Sequence, residues 1–262
     1  MDTAYLSAER RDMQDYGPFI RFPSPSPPAP VTCKMAAAGA CSVPDLCRHA
    51  RRSEQQPFPT GAINRRAVRR GQALYRAGDP LVNLYQLYAG SMKLRITNSA
   101  GTEQIASFPM AGSLLGLDGI ETGHHMCDAV ALEDSLVCVL PFSDVLACSR
   151  TDTEAALQLN RAIAHETSHY RRLLMVMANM SSEERIANFI LTMSERMATN
   201  GYSPQEFVLK MTREDIARHL GMKIETVSRA LGRLQSAHIV DVSRRRLCIR
   251  DPKALSQMGS SR

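Results

Sequence analysis

Glu225, Ser228 and Arg229 are residues whose types and spacing could do recognition chemistry. A carboxylate four positions before a guanidinium shares a face with it on a helix. An arginine can donate two hydrogen bonds to guanine O6 and N7, and a glutamate can accept from cytosine N4. Glu225 and Arg229 could therefore address both members of one G·C pair, and their mutual attraction could hold the arginine fork in place. The same spacing also describes an exposed surface ion pair worth about 0.2–0.5 kcal/mol. The pair alone does not decide between these readings; the elements around it do.

Those elements lie in Lys210–Ala237, KMTREDIARHLGMKIETVSRALGRLQSA. Thr212 followed by Asp215 is a capping signature for a helix running to about Leu220. Gly221 supplies the left-handed backbone that ends one helix and turns into the next. Ile224, Val227, Leu231 and Leu234 recur at steps of three and four and are expected to pack inward. Glu225, Thr226, Ser228, Arg229 and Arg233 are left for a DNA groove, with Thr212 and Arg213 at the start of the preceding helix. Beyond them, HIVDVSRRRLCIR has two apolar runs flanking Arg244, Arg245 and Arg246. A hairpin tip of this kind can lie along phosphates, positioning a protein without reading sequence; a solvated turn is the alternative.

A second set of chemically capable residues is the seven cysteines. Cys33, Cys41 and Cys47 fall among small and polar residues, and Cys138 sits in EDSLVCVLPF. In a reducing compartment they do not read as a disulfide framework, so buried thiols, metal ligands and redox sensors stay open. Cys148 and Cys248 read as small buried hydrophobes. His124 and His125 read as solvated loop histidines, and His165 and His169 as facing an interface or solvent.

The chain of 262 residues is long enough for two ordinary domains. Its 44% apolar content suits a globular protein, and its net charge of +6 is compatible with a polyanionic partner. No apolar run approaches the ~20 residues a bilayer requires, and the start lacks the apolar core of a secretory signal. The reading is therefore cytoplasmic, without a membrane partner. Residues 1–60 form a proline-rich tail and a cysteine-bearing arm; residues 61–148 are short strands broken by glycine, Asp-Pro and Asn turns, a β-roll pattern. Residues 149–180 contain a long helix, from about Thr153 to Met180, whose stripe includes Leu157, Ile163, Leu173, Leu174 and Met177. It is too long for one small domain to cover, which points to a homodimer; a core helix packed within its own chain is the alternative. Residues 181–262 carry three helices and the small hairpin. The fold class is α+β.

Leu209–Val240, with its ETVSR core and LGRLQ sequel, resembles the regulators related to the catabolite activator protein, and most of all their anaerobic, fumarate-and-nitrate-reduction (FNR) branch. ASFPMAGSLLGLDGIETGHH and ALEDSLVCVLPF resemble that family's sensor β-roll, and SSEERIANFILTMSERMATNGYSPQEF resembles the entry to its DNA-binding domain. The likeness runs from about residue 41 to 250. It implies a cyclic-nucleotide-binding-like β-roll, a dimerisation helix and a C-terminal winged helix-turn-helix. It also implies a dimer on palindromic double-stranded DNA, with Glu225, Ser228 and Arg229 reading a TTGAT half-site, and RNA polymerase as a partner of an activator.

Two sensing modes compete within the resemblance. Relatives that bind cyclic AMP place an acid and an arginine where this chain has Leu117 and Cys127, and burying a phosphate without a cation is costly; this argues against a cyclic nucleotide. The FNR branch ligates a [4Fe–4S] cluster with three N-terminal cysteines and one from the β-roll. Cys41 and Cys47 have the spacing of its second and third ligands, and Cys138 falls where the β-roll ligand lies. The chain departs at the first ligand, where Ala38 stands; Cys33 is the remaining N-terminal candidate, with Cys127 or a non-cysteine group as substitutes. The implied function is an oxygen-responsive transcription regulator; the alternative is a regulator of the same fold switched by direct cysteine redox chemistry or another small ligand. An enzyme is disfavoured: the chain has no phosphate-cradling glycine loop, HExxH or nucleophile elbow.

Overall fold

The structure, a computed structural model, describes residues 64–259. The tail, the arm and Cys33, Cys41 and Cys47 lie outside the described residues. Strands β1 (Arg65–Val68), β2 (Ala73–Tyr75), β3 (Asn83–Ala89), β4 (Met92–Thr97), β5 (Glu103–Ser107), β6 (Leu114–Leu115), β7 (Asp128–Ala131) and β8 (Ser135–Pro141) build two antiparallel sheets. Their orders are β1-β8-β3-β6 and β2-β7-β4-β5. Alternation in β4 buries Met92 and Leu94, while Lys93 and Arg95 stay half-buried on the other face. Leu74, Leu87, Met92, Leu94 and Val137 fill the space between the sheets. The β3–β4 turn needs Gly90: its φ is +95°, and a Cβ there would sit 2.3 Å from Ser135 Oγ.

Helix α1 (Phe142–Thr151) follows β8 directly. Asp152 leaves the helical conformation, and its carboxylate accepts from the N–H groups of Glu154 and Ala155, so a second helix, α2 (Thr153–Asn179), starts there. At 27 residues α2 is about 40 Å long. Within its own chain it buries Ala155, Gln158 and Val176. Leu174 and Met175 stay 66% and 62% exposed, and Leu157 and Ile163 are also exposed.

The remaining elements are α3 (Ser182–Thr199), β9 (Glu206–Val208), α4 (Arg213–Leu220), α5 (Ile224–Ser236), β10 (Val240–Ser243), β11 (Arg246–Ile249) and α6 (Pro252–Gly259). Ser181 and Glu184 close a capping box at the start of α3. Ile186, Ile190, Ile216, Leu220, Val227, Leu231 and Leu234 form a core that also takes in Ile105 and Phe108 from the β-roll. One apolar cluster thus spans the β-roll and the C-terminal helices.

Four sequence expectations need correction. Residues 181–259 hold a fourth helix, α6, and a third strand, β9, beside the expected hairpin. Ile224 is 42% exposed rather than packed inward. It is the first residue of α5, and helical side chains lean toward the N-terminus, so its side chain projects past the helix end. His125 is buried, not solvated: its ring stacks on Tyr75 with centroids 3.7 Å apart, and Nδ1 lies 3.4 Å from Asp118 Oδ1. Cys248 is half-buried rather than core, because it lies on β11 between buried Leu247 and Ile249 and alternation turns it outward.

Candidate nucleic-acid interface

The helix pair is built locally. The Thr212 hydroxyl accepts from Asp215 N–H at 3.0 Å, and Asp215 Oδ2 accepts from Thr212 N–H at 2.9 Å, a reciprocal cap on α4. The hydroxyl proton of Thr212 also goes to Asp215, at 2.8 Å, so this side chain is spent inside the protein. Gly221 ends α4 with φ +62°, and a Cβ there would lie 2.7 Å from Met177 Cε. Val227, Ala230, Leu231 and Leu234 then bury one face of α5.

The opposite face carries exposed Glu225 and Arg229 and half-buried Thr226 and Ser228. Glu225 and Arg229 do not pair; Arg229 Nη2 instead donates to Thr226 Oγ1 at 3.5 Å. Ser228 Oγ accepts from Arg213 Nη1 at 3.3 Å, across the turn. Arg233 is directed away from this group by an ion pair with Glu183 at the start of α3.

The arginine-rich hairpin also divides its roles. Ser243 faces Arg246 across β10–β11, leaving Arg244 and Arg245 as the tip. Arg244 is exposed with φ +54°. Arg245 Nη1 donates to the Lys210 carbonyl at 3.3 Å. Arg246 is on the strand and pairs with Glu206, so its charge is partly cancelled. A cleft of about 270 Å³ opens between α4 and this hairpin, floored by Leu209, Met211 and Ile216 with Arg213, Arg244 and Arg245 at its edge.

Polar contacts between the β-roll and α4 carry no sequence signal and were not anticipated. Lys93 Nζ meets Asp215 Oδ1 at 2.6 Å, and Lys210 meets Glu133 at 2.9 Å. Burial alone would raise the Asp215 carboxyl, but the Lys93 ammonium and the Thr212 donors outweigh it and hold it below the usual carboxylate range. Asp128, Arg95, Glu103, Arg218 and Glu214 form a chain of alternating charge from β7 to α4. His219 Nδ1 donates to the Ile105 carbonyl at 3.0 Å. Arg185 donates to the carbonyls of Met177, Met180 and Leu220, tying the ends of α2 and α4 together. Lys93 and Asp215 are 122 positions apart and Glu103 and Arg218 are 115 apart, beyond any local pattern.

Inside the β-roll, Asp118 gathers the side chains of Tyr75, His125 and Cys127. Tyr170 of α2 donates to Glu166 at 2.7 Å. Burial, with Asp118 adding to it, pushes the Cys127 thiol well up, which disfavours a thiolate. Cys127 precedes β7, in the other sheet from Cys138. Burial also holds the Glu166 carboxyl above its usual range. His165 is exposed, and His169, half-buried and stacked near His219, is pushed down to about 4 by burial. Among the described residues, no group of three or more His, Cys, Asp and Glu side chains could hold a metal ion, and no helix is long and apolar enough to cross a membrane.

A capped helix, a left-handed glycine turn, a second helix with a polar outer face and a basic hairpin, all mounted on a β-roll, define a DNA-binding transcription regulator. The Crp-like helix-turn-helix domain family matches residues 184–258, and the cyclic nucleotide-binding domain family matches residues 65–152. The chain is 36% identical over 220 residues to the fumarate and nitrate reduction regulatory protein of Escherichia coli K12, covering 83% of this chain and 88% of that one. It is 35% identical over 223 residues to the anaerobic regulatory protein of Pasteurella multocida, covering 84% and 82%. The solved structure of FixK2 from Bradyrhizobium japonicum superimposes with a TM-score of 0.70 at 26% identity, covering 77% of this chain and 99% of that one. The chain belongs to the CRP/FNR family of transcription regulators, in its FNR branch, and is not an enzyme.

Proposed function

We propose that the chain is an oxygen-responsive regulator that binds TTGAT-type palindromic DNA as a homodimer while a [4Fe–4S] cluster is in place. The observation that carries the DNA half of this reading is the outward face of α5, where Glu225 and Arg229 stand exposed beside Ser228. The exposed tip arginine Arg244 would add a phosphate contact. Thr212 contributes at most its backbone, and Arg233 and Arg246 would first have to leave Glu183 and Glu206. A second copy packed on Leu157, Ile163, Leu174 and Met175 of α2 would set two α5 helices about one helical turn of DNA apart. RNA polymerase is the partner such an activator serves, in the cytoplasm.

For the cluster, Cys138 supports the reading by its place. It is 2% exposed on β8, opposite Arg65. The neighbouring Val139 N–H donates to the Asn64 carbonyl at 2.8 Å, where the segment carrying Cys33, Cys41 and Cys47 joins the roll. Four thiolates are the donor set that such a cluster takes, and Cys33, Cys41, Cys47 and Cys138 would supply them. When bound, the cluster supplies a redox centre whose reactivity follows its exposure. A cluster shared by the arm cysteines and Cys138 would join the arm to β8. A cyclic nucleotide fits poorly, since Asp118 and Glu166 put carboxylates, and Cys127 no cation, around the β-roll interior.

The test is anaerobic purification with iron and sulfide analysis, followed by binding to a TTGAT–N4–ATCAA duplex before and after air. About four iron and four sulfide per chain are expected, with binding lost in air. Iron-free protein whose binding ignores air overturns the cluster reading and leaves direct thiol chemistry or another ligand.

A further inference from the structure

We propose that Arg213 is a positioning residue that fixes Ser228 as a hydrogen-bond donor toward the base edges. The inference rests on the reading of α5 as the base-reading helix and concerns one polarity within it. Arg213 is the first residue of α4, and its Nη1 lies 3.3 Å from Ser228 Oγ on α5, fifteen positions away. A guanidinium has donors and no acceptor. Ser228 must therefore accept from Arg213, which commits one of its lone pairs. Its O–H stays available for an outside partner.

A hydroxyl that accepts from a cation is polarised into a stronger donor, and its second lone pair becomes a weaker acceptor. Of the charges beside Ser228, Arg229 acts in the same sense and the exposed Glu225 carboxylate acts against it. Arg229 follows Ser228 directly, and no carboxylate neutralises Arg213: its neighbour Glu214 pairs with Arg218 at 2.7 Å. Among the described residues, Arg213 has no ion-pair partner. In the major groove, such a hydroxyl favours thymine O4, guanine O6 or a purine N7 over the amino groups of adenine and cytosine.

The origin of the Arg213 side chain is itself held still. Thr212 and Asp215 cap the first turn of α4, and Lys93 grips Asp215 from the β-roll. A residue held this way can orient its contact; a loose surface arginine could not.

The test uses the full chain under anaerobic conditions and a panel of TTGAT–N4–ATCAA duplexes with each half-site base pair replaced symmetrically in turn. The proteins are the parent, Ser228→Ala, Arg213→Ala and the double variant, each measured at several salt concentrations. Ser228→Ala is expected to reduce discrimination by about two- to tenfold at one base pair. Arg213→Ala is expected to reduce it at that same pair, and the double variant to lose little more. Both side chains are outside the core, so melting temperatures stay at the parent value. A loss from Arg213→Ala equal on all duplexes, with a shallower salt slope, makes Arg213 a phosphate contact only and overturns the proposal. Additive effects of the two substitutions overturn it as well. A parent protein that discriminates at no base pair overturns the base-reading assignment of α5 itself, a failure visible before any variant is compared.

Discussion

Lys93 on a β-roll strand and Asp215 in the capping box of α4 meet at 2.6 Å, with the carboxylate nearly buried. One side chain thus completes a helix cap and anchors the helix-turn-helix to the β-roll. Lys93→Met would leave the carboxylate without its cation, at a cost of about 1.5–3 kcal/mol near neutral pH. The Asp215 pKa is lowered in the folded state, so this stabilisation is present above the ordinary carboxylate value and is lost as pH falls through the folded one. Urea unfolding of parent and variant should differ at pH 7 and converge on acidification below the usual carboxylate range. A gap that persists in acid would mean that the pair does not act through charge.

Gly221 and Gly201 both have positive φ, but only Gly221 has a neighbour in the way, Met177. Alanine at either position costs about 1–2 kcal/mol in left-handed backbone. Gly221→Ala must also move the Met177 methyl, the end of a flexible side chain, so it should cost little more than Gly201→Ala; lying at the turn between α4 and α5, it should weaken DNA binding, which Gly201→Ala should leave intact. Denaturant midpoints and operator titrations check both.

The arginines of the wing and of α5 should not behave alike. Arg244→Ala is expected to weaken binding evenly across sequences and to reduce the salt slope by about 1. Arg246→Ala should do less, because Glu206 already holds that charge. Arg229→Ala, in contrast, should cost about 1–3 kcal/mol and relax preference at the G·C pair. Binding isotherms at several salt concentrations separate the three.

Glu166 lies on α2 with its pKa raised by burial, and Asp118 adds to the shift. A carboxyl with a raised folded pKa destabilises the fold as pH rises from its ordinary value through the folded one. Glu166→Gln keeps an acceptor for Tyr170 and removes the charge. It should melt higher than the parent at pH 7, by about 2–4 °C, with the difference closing in acid.

Leu174 is two-thirds exposed in the single chain, so Leu174→Glu should fold normally. If a second copy covers this stripe, the variant sediments as a monomer and loses cooperative operator binding. Unchanged dimerisation would move the interface elsewhere.

The sequence by itself determined the local events: the Thr212–Asp215 cap, the Gly221 turn, the burial of Val227, Leu231 and Leu234, and the extent of α2 to within a residue. Each follows from backbone geometry and periodicity over a few positions, which a linear string records in full. The tertiary structure alone decided which polar side chains are spent inside the molecule. Arg246 and Arg233 look like free groove arginines in the string, yet Glu206 and Glu183 take them. Lys93, Glu103 and Arg218 look like ordinary surface charges, yet they take part in ion pairs that join the β-roll to α4. Ion pairing depends on distance in space, and residues more than a hundred positions apart become neighbours only once the chain has folded.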